Sequence, residues 1–275
     1  MKTVGITACS NALCREERAM VQRLTEYLES TGRCVLQSAC IYEKTGPFSG
    51  TGKERAEELM QLFRNPEVEE IYDISGGDMA NEVLDWLDFD EIARSRATFW
   101  GYSDLTTVLN AIYARTGKAS VLWQVRHMAE GGQQELERHL HCHREELFCP
   151  EMHMVQGQRM QGIVVGGNIR CFLKLLGTPY FPDLQDKILV LEAWHGQVPQ
   201  MVTYLAQMRS CGVFDKIQGI LLGTFTDMEE QNCQPDIVSL VQSFVGDKMP
   251  IAVTREIGHG EDARALWIGE EITIQ

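Results

Sequence analysis

The sequence predicts an α/β protein of two units, in which parallel strands alternate with helices. Three observations predict this class. Short apolar runs of strand length recur along the chain, segments with helical spacing of apolar residues lie between them, and the sequence changes character between two such halves, over residues 125–158. In such sheets active groups collect at the carboxyl ends of the strands. Candidate site residues are therefore expected at these ends.

The first half begins with a predicted strand at residues 4–8. Gly32 ends the first predicted helix, and Asn65-Pro66 stops the second. The turn Ser75-Gly76-Gly77-Asp78 follows the third predicted strand, which places it at a carboxyl end. The helices are predicted at 16–30, 53–63, 80–87, 90–95 and 104–115, and the further strands at 34–39, 70–74 and the run that ends at Gly101.

The second half contains strands predicted at 162–168, 187–192 and 218–225, and helices at 198–208 and 237–245. The continuously apolar run from Ile188 to Leu191 is typical of a strand buried on both faces, and it ends at the carboxylate of Glu192. His259 lies between two glycines of a later loop, so its neighbours do not crowd its ring. Considered separately, Glu192 is also compatible with an exposed glutamate at a strand end, and His259 with a loop histidine that has no function.

Charge and composition limit the possible partners. The chain of 275 residues has a formal net charge of -14, with 44% hydrophobic and 23% charged residues. A surface this acidic repels phosphate backbones, so nucleic acid is not expected as a partner. No apolar segment approaches membrane-spanning length, and residues 1–9 are too short and too polar for a signal peptide. A cytoplasmic location without membrane attachment is the expectation.

The cysteines indicate neither a disulfide framework nor a zinc ribbon, because their number is odd and no C-x-x-C pair occurs. They are expected to be reduced, small core residues. The nine positions are Cys9, Cys14, Cys34, Cys40, Cys142, Cys149, Cys171, Cys211 and Cys233. A polar, helix-prone segment contains His139, His141, Cys142 and His143, which is compatible with a metal site or, as we favour, with a solvated linker helix.

One stretch suggests a nucleophile. In Thr98-Phe99-Trp100-Gly101-Tyr102-Ser103-Asp104-Leu105 an apolar run ends at a glycine, a serine follows two residues later, and a helical pattern begins. A serine at such a strand-to-helix junction has its hydroxyl lifted clear of the sheet, as in the nucleophile elbow G-x-S-x-G, although Leu105 occupies the place of the second glycine. The alternative is a plain helix N-cap.

Several motifs together resemble the LD-carboxypeptidase family of serine peptidases, including its microcin C immunity branch. They run in family order from about residue 75 to the C-terminus. The matching motifs are Ser75-Gly76-Gly77-Asp78, Leu87-Asp88-Phe89-Asp90-Glu91-Ile92, Gly101-Tyr102-Ser103-Asp104-Leu105-Thr106, Gly166-Gly167-Asn168, Gly177-Thr178-Pro179-Tyr180, Ile188-Leu189-Val190-Leu191-Glu192 and Gly258-His259.

The resemblance implies a catalytic triad of Ser103 as nucleophile, His259 as general base and Glu192 as the residue that orients the histidine. It further implies an oxyanion hole formed by the backbone N–H groups of Asp104 and Gly77, with Gly76 in substrate binding. The implied fold is a flavodoxin-like N-terminal domain (residues 1–124), a connecting segment (125–158) and a smaller C-terminal α/β domain (159–275) that carries Glu192 and His259. A homodimer without metal or organic cofactor is also implied.

The sequence departs from the family on the substrate side. Ser75 stands where many members carry an arginine, and Trp123-Gln124-Val125 replaces a His-Gly-Pro turn. Arg126 and Arg170 are candidates to bind a substrate carboxylate. The expected reaction is hydrolysis of an amide next to a free carboxylate, most simply the L,D-bond of murein tetrapeptide. A peptidyl- or aminoacyl-nucleotide amide of the microcin C kind, a non-catalytic ligand-binding relative, and a phosphate binder that uses residues 45–52 are the alternatives.

Overall fold

Two six-stranded sheets form the framework of the chain, for which the computed structural model describes residues 2–130 and 144–275. The strands of the first sheet are β1 (Thr3–Thr7), β2 (Cys34–Gln37), β3 (Val68–Asp73), β4 (Thr98–Gly101), β5 (Ser120–Leu122) and β11 (Leu266–Ile268). Their order is β11-β5-β4-β3-β1-β2, with β1 to β5 parallel and β11 antiparallel to β5. The run 2-1-3-4-5 is the flavodoxin-like order, so the predicted fold class is confirmed.

Helices connect the strands of this first sheet. Those described are α1 (Arg18–Ser30), α2 (Gly52–Arg64), α3 (Phe89–Arg94), α4 (Thr106–Thr116) and α5 (His127–Glu130), with 3-10 turns at Arg15–Glu17, Ala80–Trp86 and Ser103–Leu105. The capping box of Thr51 and Glu54 starts α2, and Gly117 ends α4 in a left-handed conformation. The helix predicted at 80–87 is instead a 3-10 helix, because it contains the weak helix formers Asn81 and Asp85 and must end before Asp88 caps α3.

The second sheet has the order β12-β7-β8-β9-β10-β6. Its strands are β6 (His153–Gln156), β7 (Met160–Asn168), β8 (Lys187–Ala193), β9 (Gly219–Phe225), β10 (Ile251–Val253) and β12 (Glu271–Ile274). Strands β7 to β10 are parallel, whereas β6 and β12 are antiparallel edges. The described helices of this half are α6 (Arg144–Leu147), α7 (Ile169–Leu173), α8 (Val198–Ser210), α9 (Thr226–Glu230) and α10 (Ile237–Val245).

The strands β6 and β11 show two differences from the predicted organisation. β6 falls inside the segment expected to be a linker, because an edge strand with alternating half-buried and exposed residues carries little hydrophobic signal. β11 leaves the second half of the chain and joins the first sheet beside β5, before β12 returns to the second sheet. The two halves are thus connected by the path of the chain, which passes from the second sheet to the first and back, as well as by packing.

A buried amide joins the two sheets near their carboxyl ends. Asn110 of α4 donates from Nδ2 to the carbonyl oxygen of Gly166 (2.8 Å) and accepts at Oδ1 from the Gly166 N–H (2.8 Å). Next to it, Gly167 has φ of 132°, and a Cβ there would lie 2.6 Å from Thr106 Oγ1. Only glycine allows this close approach of β7 to α4.

The cysteine expectation holds in part. Cys9, Cys40 and Cys171 are buried free thiols, whereas Cys149 and Cys211 are exposed, so the prediction that they are core residues is wrong for these two. Cys142 lies outside the described residues. Among the helices that the structure describes, none combines the length and the apolar character needed to cross a membrane.

We expect Asn110→Ala to destabilise the protein by about 3 kcal/mol, because it leaves both backbone groups of Gly166 buried without partners. Urea unfolding followed by circular dichroism measures this loss. The exposed Asn81→Ala is the matched control and should unfold within about 0.5 kcal/mol of the wild type. An Asn110→Ala variant as stable as this control would show that the amide pair does not hold the two halves together.

Candidate active site

A cleft of about 630 Å³ lies where the carboxyl ends of strands from both sheets meet. Residues that follow β1, β3, β4 and β5 line it from the first sheet, and residues at or after the ends of β7 and β8, together with His259 of the segment after β10, line it from the second. The lining includes Asn11, Glu17, Gly76, Gly77, Asp78, Ser103, Arg126, Asn168, Arg170, Trp194, His195 and His259. Ser103, Gly76, Gly77 and His259 therefore share one cavity, although up to 183 positions separate them.

Ser103 lies at a sharp turn between β4 and α4. Its φ is 53°, in the left-handed region that non-glycine residues rarely occupy. The preceding Tyr102 is extended and buried, and the turn continues as the 3-10 helix Ser103–Leu105 before α4 begins. The strained turn places Ser103 in the cleft lining. This is the backbone geometry of a nucleophile elbow.

His259 and Glu192 form a buried pair. His259 Nδ1 lies 2.9 Å from Glu192 Oε2 in a close but bent contact, and both side chains are almost completely inaccessible to solvent. The other carboxylate oxygen, Oε1, accepts from Asn168 Nδ2 at 3.0 Å, because Asn168 of β7 is the register partner of Glu192 on β8. Glu192 is thus a buried carboxylate with polar neighbours on both oxygens, rather than an exposed strand end.

Two aromatic rings pack against the imidazole of His259. Tyr102 packs edge-on against His259 with ring centroids 4.7 Å apart, and Trp194 lies 4.8 Å away on a tilted plane. Burial, and then the negative charge of Glu192, raise the pKa of the Tyr102 phenol well above its usual value, so the hydroxyl stays neutral. The Trp194 ring is 47% exposed at the cleft and also stacks on His195. The His259 ring is consequently held in place beside Glu192.

A hydroxyl, an imidazole and a buried carboxylate in one cleft are the groups with which proteins activate a serine. No hydrogen bond joins Ser103 to His259 within residues 2–130 and 144–275. Such contacts are often long in structures without substrate and tighten on binding. The catalytic roles of Ser103, Glu192 and His259 stay a prediction at this point.

The glycine turn lines the same cleft as Ser103. Gly77 has φ of 125°, and a Cβ at this position would lie 2.2 Å from the Asn11 side chain. A Cβ on Gly76 would meet open space, which lets a ligand approach its backbone closely. Gly77 therefore requires glycine, and the backbone of the turn borders the cavity. The proposed oxyanion role of its N–H and of the Asp104 N–H also stays a prediction.

The Asp104 side chain connects the elbow to three other segments. Its Oδ2 accepts from Ser10 Oγ (2.6 Å) and from the Ala80 N–H (2.8 Å), and its Oδ1 contacts Lys174 Nζ at 2.5 Å. Asp104 is completely buried, whereas Lys174 comes from the second half of the chain. Sequence reasoning identified Asp104 only through its backbone N–H and missed Ser10 and Lys174, which stand in no motif that marks them.

A second buried network lies below the glycine turn. Asp73 accepts from the Cys9 N–H (2.8 Å) and from both the N–H (2.8 Å) and the hydroxyl (2.6 Å) of Ser75, whose Oγ accepts from the Ser10 N–H. Burial raises the pKa of the Asp73 carboxyl above its usual value, against the effect of these hydrogen bonds. The fully buried guanidinium of Arg55 donates to the Cys9 and Ser10 carbonyl oxygens. The loops after β1 and β3 are thus held together.

Among the residues that the structure describes, no group of three or more His, Cys, Asp or Glu side chains is arranged to hold a metal ion. The segment with His139, His141, Cys142 and His143 lies outside the described residues, so the choice between a metal site and a linker helix stays open.

The family comparison covers both halves of the chain. The LD-carboxypeptidase N-terminal domain matches residues 4–122, and the LD-carboxypeptidase C-terminal domain matches residues 161–274. A probable murein peptide carboxypeptidase of Bacillus subtilis is 27% identical over 219 residues, which are 76% of this chain and 67% of the relative. The microcin C7 self-immunity protein MccF of Escherichia coli is 24% identical over 311 residues, with 99% and 90% covered.

Solved structures show the same fold. MccF in its inactive mutant apo state has a TM-score of 0.84 at 21% identity and covers 99% of this chain and 92% of its own. A muramoyltetrapeptide carboxypeptidase from Oxalobacter formigenes has a TM-score of 0.81 at 22% identity, with 99% and 94% covered.

We expect Lys174→Met to destabilise the protein by about 3 kcal/mol, because it leaves the buried Asp104 carboxylate without its cation. The double variant Asp104→Asn/Lys174→Met should recover part of this loss, because no charge is then left buried alone. Urea unfolding of both variants measures the difference. A single variant that unfolds at the wild-type urea concentration would contradict an energetic role for this ion pair.

Proposed function

Because this chain belongs to the LD-carboxypeptidase family of serine peptidases, we propose that Ser103, His259 and Glu192 form its catalytic triad. The triad hydrolyses an amide bond next to a free carboxylate, namely the L,D-bond before the terminal residue of murein tetrapeptide in peptidoglycan recycling. The observation that carries this proposal is the buried His259–Glu192 contact of 2.9 Å in the cleft that Ser103 lines.

Acylation is the first chemical step. Ser103 Oγ attacks the substrate carbonyl carbon while His259 Nε2 accepts the hydroxyl proton. Glu192 on the Nδ1 side orients the imidazole and stabilises its positive charge, and Asn168 holds the carboxylate at its other oxygen. His259 then donates the proton to the leaving nitrogen, the C–N bond breaks, and the acyl group stays on Ser103. The leaving residue departs with a free amino group and its own carboxylate.

Deacylation reverses these roles. Water attacks the acyl carbon and gives its proton to His259, the bond to Ser103 Oγ breaks, and the oxygen recovers a proton from the imidazolium. In both steps the backbone N–H groups of Gly77 and Asp104 stabilise the negative oxygen of the tetrahedral intermediate. Gly76, whose backbone borders open space, lets the substrate chain lie close to this turn.

A second candidate function is cleavage of a peptidyl- or aminoacyl-nucleotide amide. The half-exposed ring of Trp194 at the cleft favours it, because an exposed indole can stack on a planar base. Solved structures of MccF hold aspartyl sulfamoyl adenosine and glutamyl sulfamoyl guanosine.

The family resemblance adds a cytoplasmic location and a homodimer to the proposal. Sedimentation of the purified chain tests whether it is a homodimer.

Substrate choice is tested by incubating the purified protein with murein tetrapeptide and, separately, with an aminoacyl sulfamoyl adenosine. Mass spectrometry follows the loss of the terminal residue or of the sulfamoyl nucleoside. We expect loss of the terminal residue from the tetrapeptide. Cleavage of the nucleoside alone would favour the second candidate, and cleavage of neither would favour a non-catalytic ligand-binding protein.

We expect Ser103→Ala to reduce hydrolysis by roughly three or more orders of magnitude, because it removes the atom that forms the acyl-enzyme. Glu192→Gln should cost less, since the carboxylate orients the base without reacting. Hydrolysis rate and melting temperature are measured on the same preparations.

The exposed Ser239→Ala serves as control and should leave both quantities unchanged. A helix-capping role of Ser103 predicts the opposite pattern, with lowered stability of up to about 1 kcal/mol and intact activity. Unchanged hydrolysis in Ser103→Ala would remove this residue from the mechanism.

A further inference from the structure

We propose that Arg126 binds the free carboxylate of the substrate's leaving residue and thereby sets the specificity for a chain end. This inference rests on the proposed function, because it names the residue that recognises the carboxylate next to the scissile amide. Neither the buried His259–Glu192 pair nor the glycine turn carries a positive charge suited to this task.

The first argument is the position of Arg126 in the sheet. It follows β5, and its Nε donates to the carbonyl oxygen of Ile74 (2.5 Å), which directly follows β3. Strand β4, which leads to Ser103, lies between β5 and β3. The side chain therefore reaches from the segment after β5 to the end of β3, past the intervening β4, and Arg126 and Ser103 line the same cleft.

The second argument is how the guanidinium is held. Nε is bonded to Ile74, and Nη1 donates to Glu17 Oε1 at 2.9 Å. Glu17 is in turn fixed by the Cys14 N–H, which donates to its other oxygen at 2.7 Å. Within the part of the chain that the structure describes, Arg126 Nη2 makes no hydrogen bond, and the residue lines the cleft. Arg126 is thus a pre-oriented cation with a donor available for an incoming carboxylate.

The other arginine of the cleft is less suited. Arg170 Nη1 donates to Asp78 Oδ1, and its Nη2 donates to the carbonyl oxygen of Gly77 at 3.2 Å, so both terminal nitrogens already have protein partners. Its side chain is 44% exposed, compared with 21% for Arg126, and water screens its charge more strongly. Arg170 instead holds the glycine turn from the second half of the chain.

The negative charge of Glu17 next to Arg126 affects how strongly the cleft can bind a carboxylate. Glu17 neutralises part of the Arg126 charge and disfavours a second carboxylate nearby. If Arg126 binds the substrate carboxylate, replacing Glu17 by Gln should strengthen that binding, because Gln retains an oxygen for the Cys14 N–H and releases Nη1. A purely structural role of the Arg126–Glu17 pair predicts no such gain.

The experiment measures binding in the Ser103→Ala background by titration calorimetry, so that no turnover occurs. The two probes are murein tetrapeptide and the same peptide with its terminal carboxyl converted to a primary amide. We expect the parent to prefer the acid, and Arg126→Gln to weaken acid binding about 10- to 100-fold with amide binding unchanged. Arg126→Lys should lie in between, because it keeps the charge and loses the fork.

Two controls separate direct binding from side effects. Arg94→Gln makes the same charge change at an exposed, distant position and should leave the preference intact. The double variant Glu17→Gln/Arg126→Gln should retain the loss, which shows that it does not arise from an unpaired Glu17. Unchanged amide binding shows that the cleft is still folded.

An undiminished acid preference in Arg126→Gln, no acid preference in the parent, or loss of the preference in Arg170→Gln instead would each overturn the inference. Hydrolysis by the protein with Ser103 intact is measured separately on both peptides. Selective binding of the acid without any hydrolysis would support the role of Arg126 while it overturns the proposed function, so the two can fail independently.

Discussion

The arrangement of the cleft depends on the hydrogen bonds and the ion pair that the buried Asp104 carboxylate makes. Asp104 directly follows Ser103, and its three contacts reach Ser10, Ala80 and Lys174. A buried carboxylate is tolerated only when its oxygens are paired, so these segments must assemble around it in one geometry. The strained turn at Ser103 persists because this surrounding structure over-determines it. The geometry of the turn that carries Ser103 and the folding of these segments are therefore coupled at one residue.

The cleft needs both sheets, and the chain path holds them together. Ser103 comes from the first sheet, whereas Glu192 and Asn168 come from neighbouring strands of the second. His259 lies in the segment between β10 and β11, where the chain passes from the second sheet back to the first. His259 thus lies in a segment whose two ends join different sheets, and the Trp123 indole N–H donates to the Ala263 carbonyl oxygen in the same segment at 2.9 Å.

Local charge in the cleft differs from that of the whole chain. Although the formal net charge is -14, two arginines line the cavity, and each has a carboxylate partner: Arg126 has Glu17 and Arg170 has Asp78. The hydrogen bond from Arg170 lowers the pKa of Asp78 and keeps it ionised. The cleft therefore presents both signs of charge, held in two ion pairs.

The sequence by itself determined the α/β class, most helices and strands, and the positions of Ser103, Glu192 and His259 at strand ends or in a glycine-flanked loop. These depend on periodicity and turn chemistry, which are local along the chain. Tertiary structure decided the partners of β6 and β11, the contacts of Asp104 and the partners of the two arginines in the cleft. Those contacts join residues as far apart as 148 positions, from Ser120 of β5 to Ile268 of β11, and no local pattern encodes which distant atoms a strand or a buried charge will meet.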